Sequence, residues 1–331
     1  MESYPIAELG KGAPADHMKI VSMENMPDPY SQRIRALSSG IDFHTGLATA
    51  DFRRELADAH VLFGGFTRDD FAAAGNLKWI QFNAAGVENI LWPELVKSPV
   101  VLTNMQRMYA PVISETAIAL MLALARQIPR YSLQTRQHGW QQLEGLQEIS
   151  GTTLGLVGLG GIGTETARRA HFGFGMNVLA VDPKPIPKPD FVAELHSTDW
   201  LLEMASRVDI LMCAAPHTPI SEGMLNESVF SAMKRSAYFI NMSRGKIVDT
   251  PALVRALKAG TIAGAGLDST YKEPLPPDDE LWTAPNLIIT CHTSGWSPKV
   301  EARTYGLFIE NVRRYVNGLP LLNVVDKQRG Y

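Results

Sequence analysis

The stretch TTLGLVGLGGIGTETARRAHFGFGMNVLAVD, residues 152–182, decides the fold. The apolar run Thr153 to Val157 reads as a buried strand. Gly158-Leu159-Gly160-Gly161-Ile162-Gly163 follows with the spacing G-x-G-x-x-G, and a helix is predicted over Ile162 to Phe172. A second strand is predicted over Asn177 to Asp182. The glycine pattern alone is common in turns, but between a strand and a helix it has a physical meaning. Gly158 permits the sharp turn, and Gly160 removes a Cβ where a pyrophosphate approaches the backbone. Gly163 lets helix and strand pack closely. Freed N–H groups and the helix dipole then stabilise phosphates. Asp182 ends the second strand, 19 residues after Gly163, where a carboxylate binds the ribose hydroxyls of a dinucleotide. Such a carboxylate repels a 2′-phosphate and favours NAD over NADP. Lys184 nearby softens that choice.

The rhythm continues on the C-terminal side. Strands are predicted over Asp209–Ala214, Ala237–Asn241, Ala263–Asp268 and Leu287–Thr290, giving about six in this half. Helices are predicted over Asp199–Ala205, Ser228–Lys234 and Pro251–Ala259, the last with Asp249 as N-cap and Gly260 as stop. On the N-terminal side, Lys19–Met23, Ala59–Gly64 and Leu77–Asn83 read as buried strands, with a helix over Asp51–Asp58 between the first two. Alternating strands and helices imply an α/β protein with doubly wound parallel sheets. Ser114–Arg126 is an apolar helix with little polar face, expected to cross between two domains and to sit in a dimer interface. Pro298–Val316 is expected to return to the first domain. The expected division is therefore 1–110 completed by 299–331, and 111–298.

Composition agrees with two soluble domains. The chain has 331 residues against about 100–200 per domain. Its net charge of −3 offers no global field for nucleic acid or membrane. Cys213 and Cys291 make no disulfide framework or zinc spacing, and a reducing cytoplasm is the simplest compartment. Both are expected to be buried small residues rather than nucleophiles. No metal site is expected. Residues 1–16 read as a loose leader without the apolar core of a secretory signal. The run Ala117–Ala125 is half of what a membrane span needs.

Charged residues just after strands of the nucleotide-binding half are the candidates for chemistry. Arg244 follows Ala237–Asn241, Asp268 ends the next strand, Glu273 precedes Pro274, and His292 follows Leu287–Thr290. Reduction of a carbonyl wants this set. Hydride addition to carbon builds negative charge on oxygen, and a histidine delivers the proton. A carboxylate on its other ring nitrogen fixes the tautomer. An arginine holds an adjacent carboxylate and polarises the carbonyl.

These stretches resemble the D-isomer-specific 2-hydroxyacid dehydrogenases. The matching segments are Gly158–Gly163 with Asp182, Phe239–Gly245 through Leu253, Gly266–Asp268 with Glu273–Leu275, and His292–Gly295. The resemblance covers about residues 60–320. It implies a flavodoxin-like substrate domain, a Rossmann coenzyme domain, an active site in the cleft between them, and a homodimer. It also implies His292 as acid–base, Glu273 as its partner and Arg244 as substrate anchor. Asp268 resembles the acidic residue facing the nicotinamide end. Asn83–Ile90 resembles the substrate loop, where the N–H groups of Ala85 and Gly86 hold the carboxylate. Glu88 replaces the usual Asp. The resemblance also places Ile162, beside Gly161, near the pyrophosphate, Ala215 and Pro216 on the adenine or ribose side, Met242 and Ser243 in the nicotinamide pocket, and Ser294 and Gly295 near the carboxamide.

The expected reaction is NADH-dependent reduction of a 2-keto acid to a D-2-hydroxy acid, with a small molecule as the only partner besides a second copy. Phe66, Tyr109 and Trp296 in the pocket would favour a bulky side chain, and Arg107 a second anionic group. The family's formate-oxidising branch carries Gln where Glu273 stands. An extra regulatory domain, as in some phosphoglycerate dehydrogenases, is not expected in a chain read as ending at Tyr331. The alternative from another class is an NAD-responsive binding protein of the co-repressor kind.

Overall fold

A computed structural model describes residues 17–331; the expected leader, residues 1–16, lies outside the described residues. The chain divides into two units. One runs to Met108 and resumes over Ser297–Tyr331; the other is Tyr109–Trp296.

The first unit contains β1 (Met18–Val21), α1 (Asp28–Arg35), β2 (Ile41–His44), α2 (Thr49–Leu56), β3 (Val61–Phe63), α3 (Arg68–Ala73), β4 (Trp79–Gln81), α4 (Pro93–Lys97) and β5 (Val101–Thr103). Its sheet has the order β2-β1-β3-β4-β5, every pair parallel. Neighbouring residues on a strand point to opposite faces. Val21, Leu62, Ile80 and Leu102 therefore join Phe52 and Leu56 of α2 and Leu95 of α4. On the other face, Phe63 and Trp79 stack with Phe308 and Tyr315.

The second unit begins with α5 (Ala110–Ala125) and α6 (Ile128–Arg136). It continues through β6 (Thr153–Val157), α7 (Gly161–Phe174), β7 (Asn177–Val181), β8 (Glu194–His196), α8 (Leu201–Arg207), β9 (Ile210–Cys213), α9 (Glu227–Ala232), β10 (Tyr238–Asn241), α10 (Thr250–Lys258), β11 (Gly264–Leu267) and β12 (Leu287–Ile289). The last helix, α11 (Pro298–Val316), lies in the first unit and carries Phe308 and Tyr315. The seven-stranded sheet has the order β12-β11-β10-β9-β6-β7-β8, again parallel. Leu120 and Leu124 of α5 and Ala167 and Ala170 of α7 cover one face with Leu154, Met212 and Ile240. Residues of α8, α9 and α10 cover the other with Val157, Leu211 and Phe239. Gly266 admits α5: a Cβ there would meet Leu120 Cβ at 3.1 Å.

The first sheet has five strands where three are expected from the sequence, and the second has seven where about six are expected. The additions are short or at edges. β2 buries only Phe43 and β8 buries nothing, so neither shows an apolar run. The apolar helix starts at Ala110 rather than Ser114, with Pro111 in its first turn, where a missing N–H costs nothing. The helix α6 is unexpected from the pattern because none of its residues is buried. Among the described residues, no single helix is long and apolar enough to cross a membrane.

Candidate active site

The turn after β6 is built around its glycines. Gly158 has φ +92°, and a Cβ there would sit 2.9 Å from the Ala215 backbone. At Gly163 a Cβ would come within 2.2 Å of the Gly158 carbonyl oxygen, so the helix start can lie against the strand end only without a side chain. Gly160 faces open space, with no atom within 4 Å of its Cβ position. It caps α7 with no side-chain hydrogen bond, leaving the first-turn N–H groups of Gly161 and Ile162 to a ligand. Ala215 follows β9, the neighbour of β6, so this turn stands where the strand order reverses. Open backbone, N–H groups and helix dipole fit a dinucleotide pyrophosphate.

Asp182, at the end of β7, is tied to that turn. One carboxylate oxygen accepts from the Leu159 N–H at 2.9 Å and the other from the Lys184 N–H at 2.9 Å.

Three further strand ends carry the charged candidates. After β10, Met242 and Ser243 are buried, and the Ser243 hydroxyl donates a short hydrogen bond to the Ala215 carbonyl. Pro216, next to it, is exposed and its carbonyl accepts from Ser221 at 2.8 Å. Asn241 Nδ2 reaches the Arg244 carbonyl at 3.4 Å and Ser269 Oγ at 3.3 Å. Gly245 packs so closely that a Cβ would lie 1.9 Å from Thr270. The Arg244 turn is thereby held against the segment leading to Glu273.

Glu273 bridges two loops. Its Oε1 accepts from the Thr270 N–H at 3.0 Å, and its Oε2 lies 2.7 Å from His292 Nδ1. The peptide bond to Pro274 is cis. With Nδ1 committed to the carboxylate, Nε2 is the nitrogen open to a substrate. The His292 side chain is 42% exposed, so the ring is reachable. Cys291 and His292 both have left-handed backbone, φ 50° and 55°. Asp268 explains how that turn is kept. Its buried carboxylate accepts from Thr290 Oγ1 at 2.7 Å and from the N–H groups of Thr293 and Ser294 at 3.1 Å, and Ser294 Oγ adds a short bond. The Asp268 carbonyl also accepts from the His292 N–H at 2.5 Å. Gly295 lies against the Tyr109 ring, 3.5 Å from its Cβ position, and Trp296 is 80% exposed.

Cys213 is buried, and burial pushes its thiol up to about 11. Cys291 is exposed, contrary to the expectation that both are buried. It stands in the turn beyond β12, where the strand has already left the core.

In the first unit, the stretch Asn83–Ile90 follows β4. Its carbonyls are anchored: Ala85 accepts from Asn104 Nδ2 at 2.6 Å and Ala84 from the Met105 N–H at 3.0 Å. Among the described residues, the N–H groups of Ala85 and Gly86 donate to no backbone or side-chain acceptor. Arg107 is exposed, with φ 72°. Glu24, which nothing in the sequence pattern singles out, lies beside Asn83. Its only signal is a carboxylate placed just after a buried strand. No group of three or more His, Cys, Asp or Glu able to hold a metal occurs among the described residues.

Comparison with known proteins agrees with this layout. The sequence model for the D-isomer specific 2-hydroxyacid dehydrogenase NAD binding domain matches residues 118–294. A glyoxylate reductase of Korarchaeum cryptofilum is 35% identical over 78% of this chain and 79% of its own length. A D-isomer specific 2-hydroxyacid dehydrogenase family protein of Aeromonas salmonicida has a similar structure, with TM-score 0.81 and 28% identity, covering 94% of this chain and 99% of that one. A D-isomer specific 2-hydroxyacid dehydrogenase of Xanthobacter autotrophicus, in complex with NADPH and MES, also has TM-score 0.81, with 25% identity over 96% of this chain and 100% of that one. With the glycine turn, the Glu273–His292 pair and these likenesses together, the chain belongs to the D-isomer specific 2-hydroxyacid dehydrogenase family, oxidoreductases that use a nicotinamide coenzyme.

Proposed function

We propose that this chain reduces a 2-keto acid to the D-2-hydroxy acid with His292 as proton donor. The observation that carries the reading is the 2.7 Å pair between His292 Nδ1 and Glu273 Oε2. Glu273 fixes the tautomer and aims Nε2, through which a proton passes to the carbonyl oxygen. Arg244 binds the substrate carboxylate and polarises the carbonyl. The Ala85 and Gly86 N–H groups take the other carboxylate contacts. Tyr109 and Trp296 contribute to the substrate side. Asp268 is a positioning residue, since its carboxylate organises the turn that presents His292.

A bound nicotinamide supplies the hydride. Gly158, Gly160, Gly161, Ile162 and Gly163 hold the pyrophosphate, and Asp182 the adenosine ribose. Ala215 and Pro216 cover the adenosine side, while Met242, Ser243, Ser294 and Gly295 line the nicotinamide side. Asp182 favours NADH over NADPH by charge. The Xanthobacter relative holds NADPH, so coenzyme preference is the first quantity to measure. Exposed Ile128, Leu133 and Trp140, on and just beyond a helix with no buried residue, support a homodimer. Free thiols support a cytoplasmic setting.

The test is oxidation of NADH and NADPH by the pure protein against 2-keto acids from glyoxylate to phenylpyruvate. Turnover with NADH preferred is expected. Tight coenzyme binding with no turnover on any 2-keto acid would overturn the reading.

A further inference from the structure

In an open parallel sheet, ligands bind beyond the carboxyl ends of the strands where the strand order reverses. In the five-stranded sheet that point lies between β1 and β3, because the chain runs out from β1 to β2 and then returns to β3. Three segments meet there. Glu24 follows β1, Gly64 follows β3 and Asn83 follows β4. Glu24 Oε1 accepts a short hydrogen bond from Asn83 Nδ2. The same oxygen lies over Gly64, where a Cβ would come within 2.8 Å of it. Gly64 has φ +107°, and the adjoining Gly65 faces open space.

The backbone of Glu24 is pinned. Its carbonyl accepts from Thr45 Oγ1 at 2.6 Å and the Gly46 N–H at 2.9 Å, and its N–H donates to Ser22 Oγ at 3.0 Å. The carboxylate itself is partly buried, and that burial raises its pKa against the opposing Asn83 bond. A fixed, half-desolvated carboxylate with lone pairs to spare is costly for the fold and useful to a ligand that brings a donor.

We propose that Glu24 determines substrate specificity: its carboxylate accepts a hydrogen bond from a hydroxyl or ammonium group on the substrate side chain and disfavours a second carboxylate or a phosphate. The proposal rests on the keto-acid reading above, in which Ala85 and Gly86, two and three residues beyond Asn83, hold the substrate carboxylate. A donor on the carbon next to the carbonyl meets an acceptor at Glu24. An analogue without the donor leaves that acceptor unpaired once water is displaced. A second anion meets like charge in a partly desolvated place.

The experiment measures kcat/KM for hydroxypyruvate, pyruvate and 3-phosphohydroxypyruvate, with whichever reduced coenzyme the wild type oxidises, in wild type, Glu24→Gln and Glu24→Ala. The wild type is expected to prefer hydroxypyruvate over pyruvate by about 10-fold to 100-fold, as for a hydrogen bond to a charged group. Glu24→Ala should bring that ratio close to one. Glu24→Gln keeps an acceptor and loses the charge, so it should retain part of the ratio while raising the relative turnover of the phosphorylated substrate. A wild-type ratio near one overturns the proposal and needs no variant to fold. An equal fall for all three substrates in both variants also overturns it, because Glu24 then only props Asn83. Absence of turnover on every 2-keto acid overturns the keto-acid reading, and the proposal with it.

Discussion

Both parallel sheets reverse their strand order, and the two reversal points are finished differently. In the seven-stranded sheet the point between β6 and β9 is stripped of side chains. Gly158, Gly160 and Gly163 leave backbone N–H groups and open space, with Ala215 opposite. In the five-stranded sheet the point between β1 and β3 carries a carboxylate, Glu24, laid over Gly64. The same topology thus presents donors in one unit and an acceptor in the other. Topology chooses where a ligand binds, and a few side chains choose its charge.

The largest effect is expected at the proton donor. His292→Ala should lower kcat by about 10²–10⁴, the usual worth of general acid–base catalysis, with NADH affinity retained in a fluorescence titration. An unchanged kcat would remove His292 from the mechanism.

The glycine turn allows the next contrast. In Gly163→Ala the new Cβ meets the Gly158 carbonyl at 2.2 Å, so the turn must move. A stability loss of about 1–3 kcal/mol is expected in urea unfolding. Gly160→Ala adds a Cβ into open space and should leave the unfolding midpoint close to wild type while weakening NADH binding. Equal stability losses in the two variants would break the distinction between packing and ligand-facing glycines.

Asp182→Ala should shrink the NADH-to-NADPH preference by about tenfold, the order of one charge contact in a partly shielded place. A preference that does not change would shift the choice to another group such as Lys184.

The smallest effect sharpens the difference between the reversal points. Burial raises the Glu24 pKa above its ordinary 4.5, so the folded state holds that proton more tightly than the unfolded chain. The resulting cost is absent well below pH 4.5, grows as pH rises through 4.5 to the folded value, and is complete above it. Glu24→Gln should therefore be slightly more stable than wild type at neutral pH in urea unfolding. The gap should close in acid. A variant less stable than wild type at pH 7 would mean that the carboxylate supports the fold.

The coenzyme unit is the more legible in sequence. The strand Thr153–Val157 coincides with β6, Asp249 caps α10 through the Ala252 N–H at 3.0 Å, and Gly260 closes that helix region with φ +65°. These are local requirements, each written in a few adjacent residues. β2 and β8 are less legible because an edge strand that buries one side chain or none leaves no apolar run. α6 is less legible for a related reason, since none of its residues is buried and no core-facing stripe marks it. Cys291 belongs to a left-handed turn, which its residue type does not announce.

The sequence by itself determined the dinucleotide turn, the α/β alternation and the order Arg244, Glu273, His292, because backbone conformation and strand burial are read from near neighbours. Tertiary structure alone decided which charges meet. Glu273 reaches His292 across 19 residues, Asp268 closes on Ser294 across 26, and Glu24 reaches Asn83 across 59. Each pairing depends on which strands lie side by side, and that order is set by packing of whole helices and sheets rather than by any local stretch.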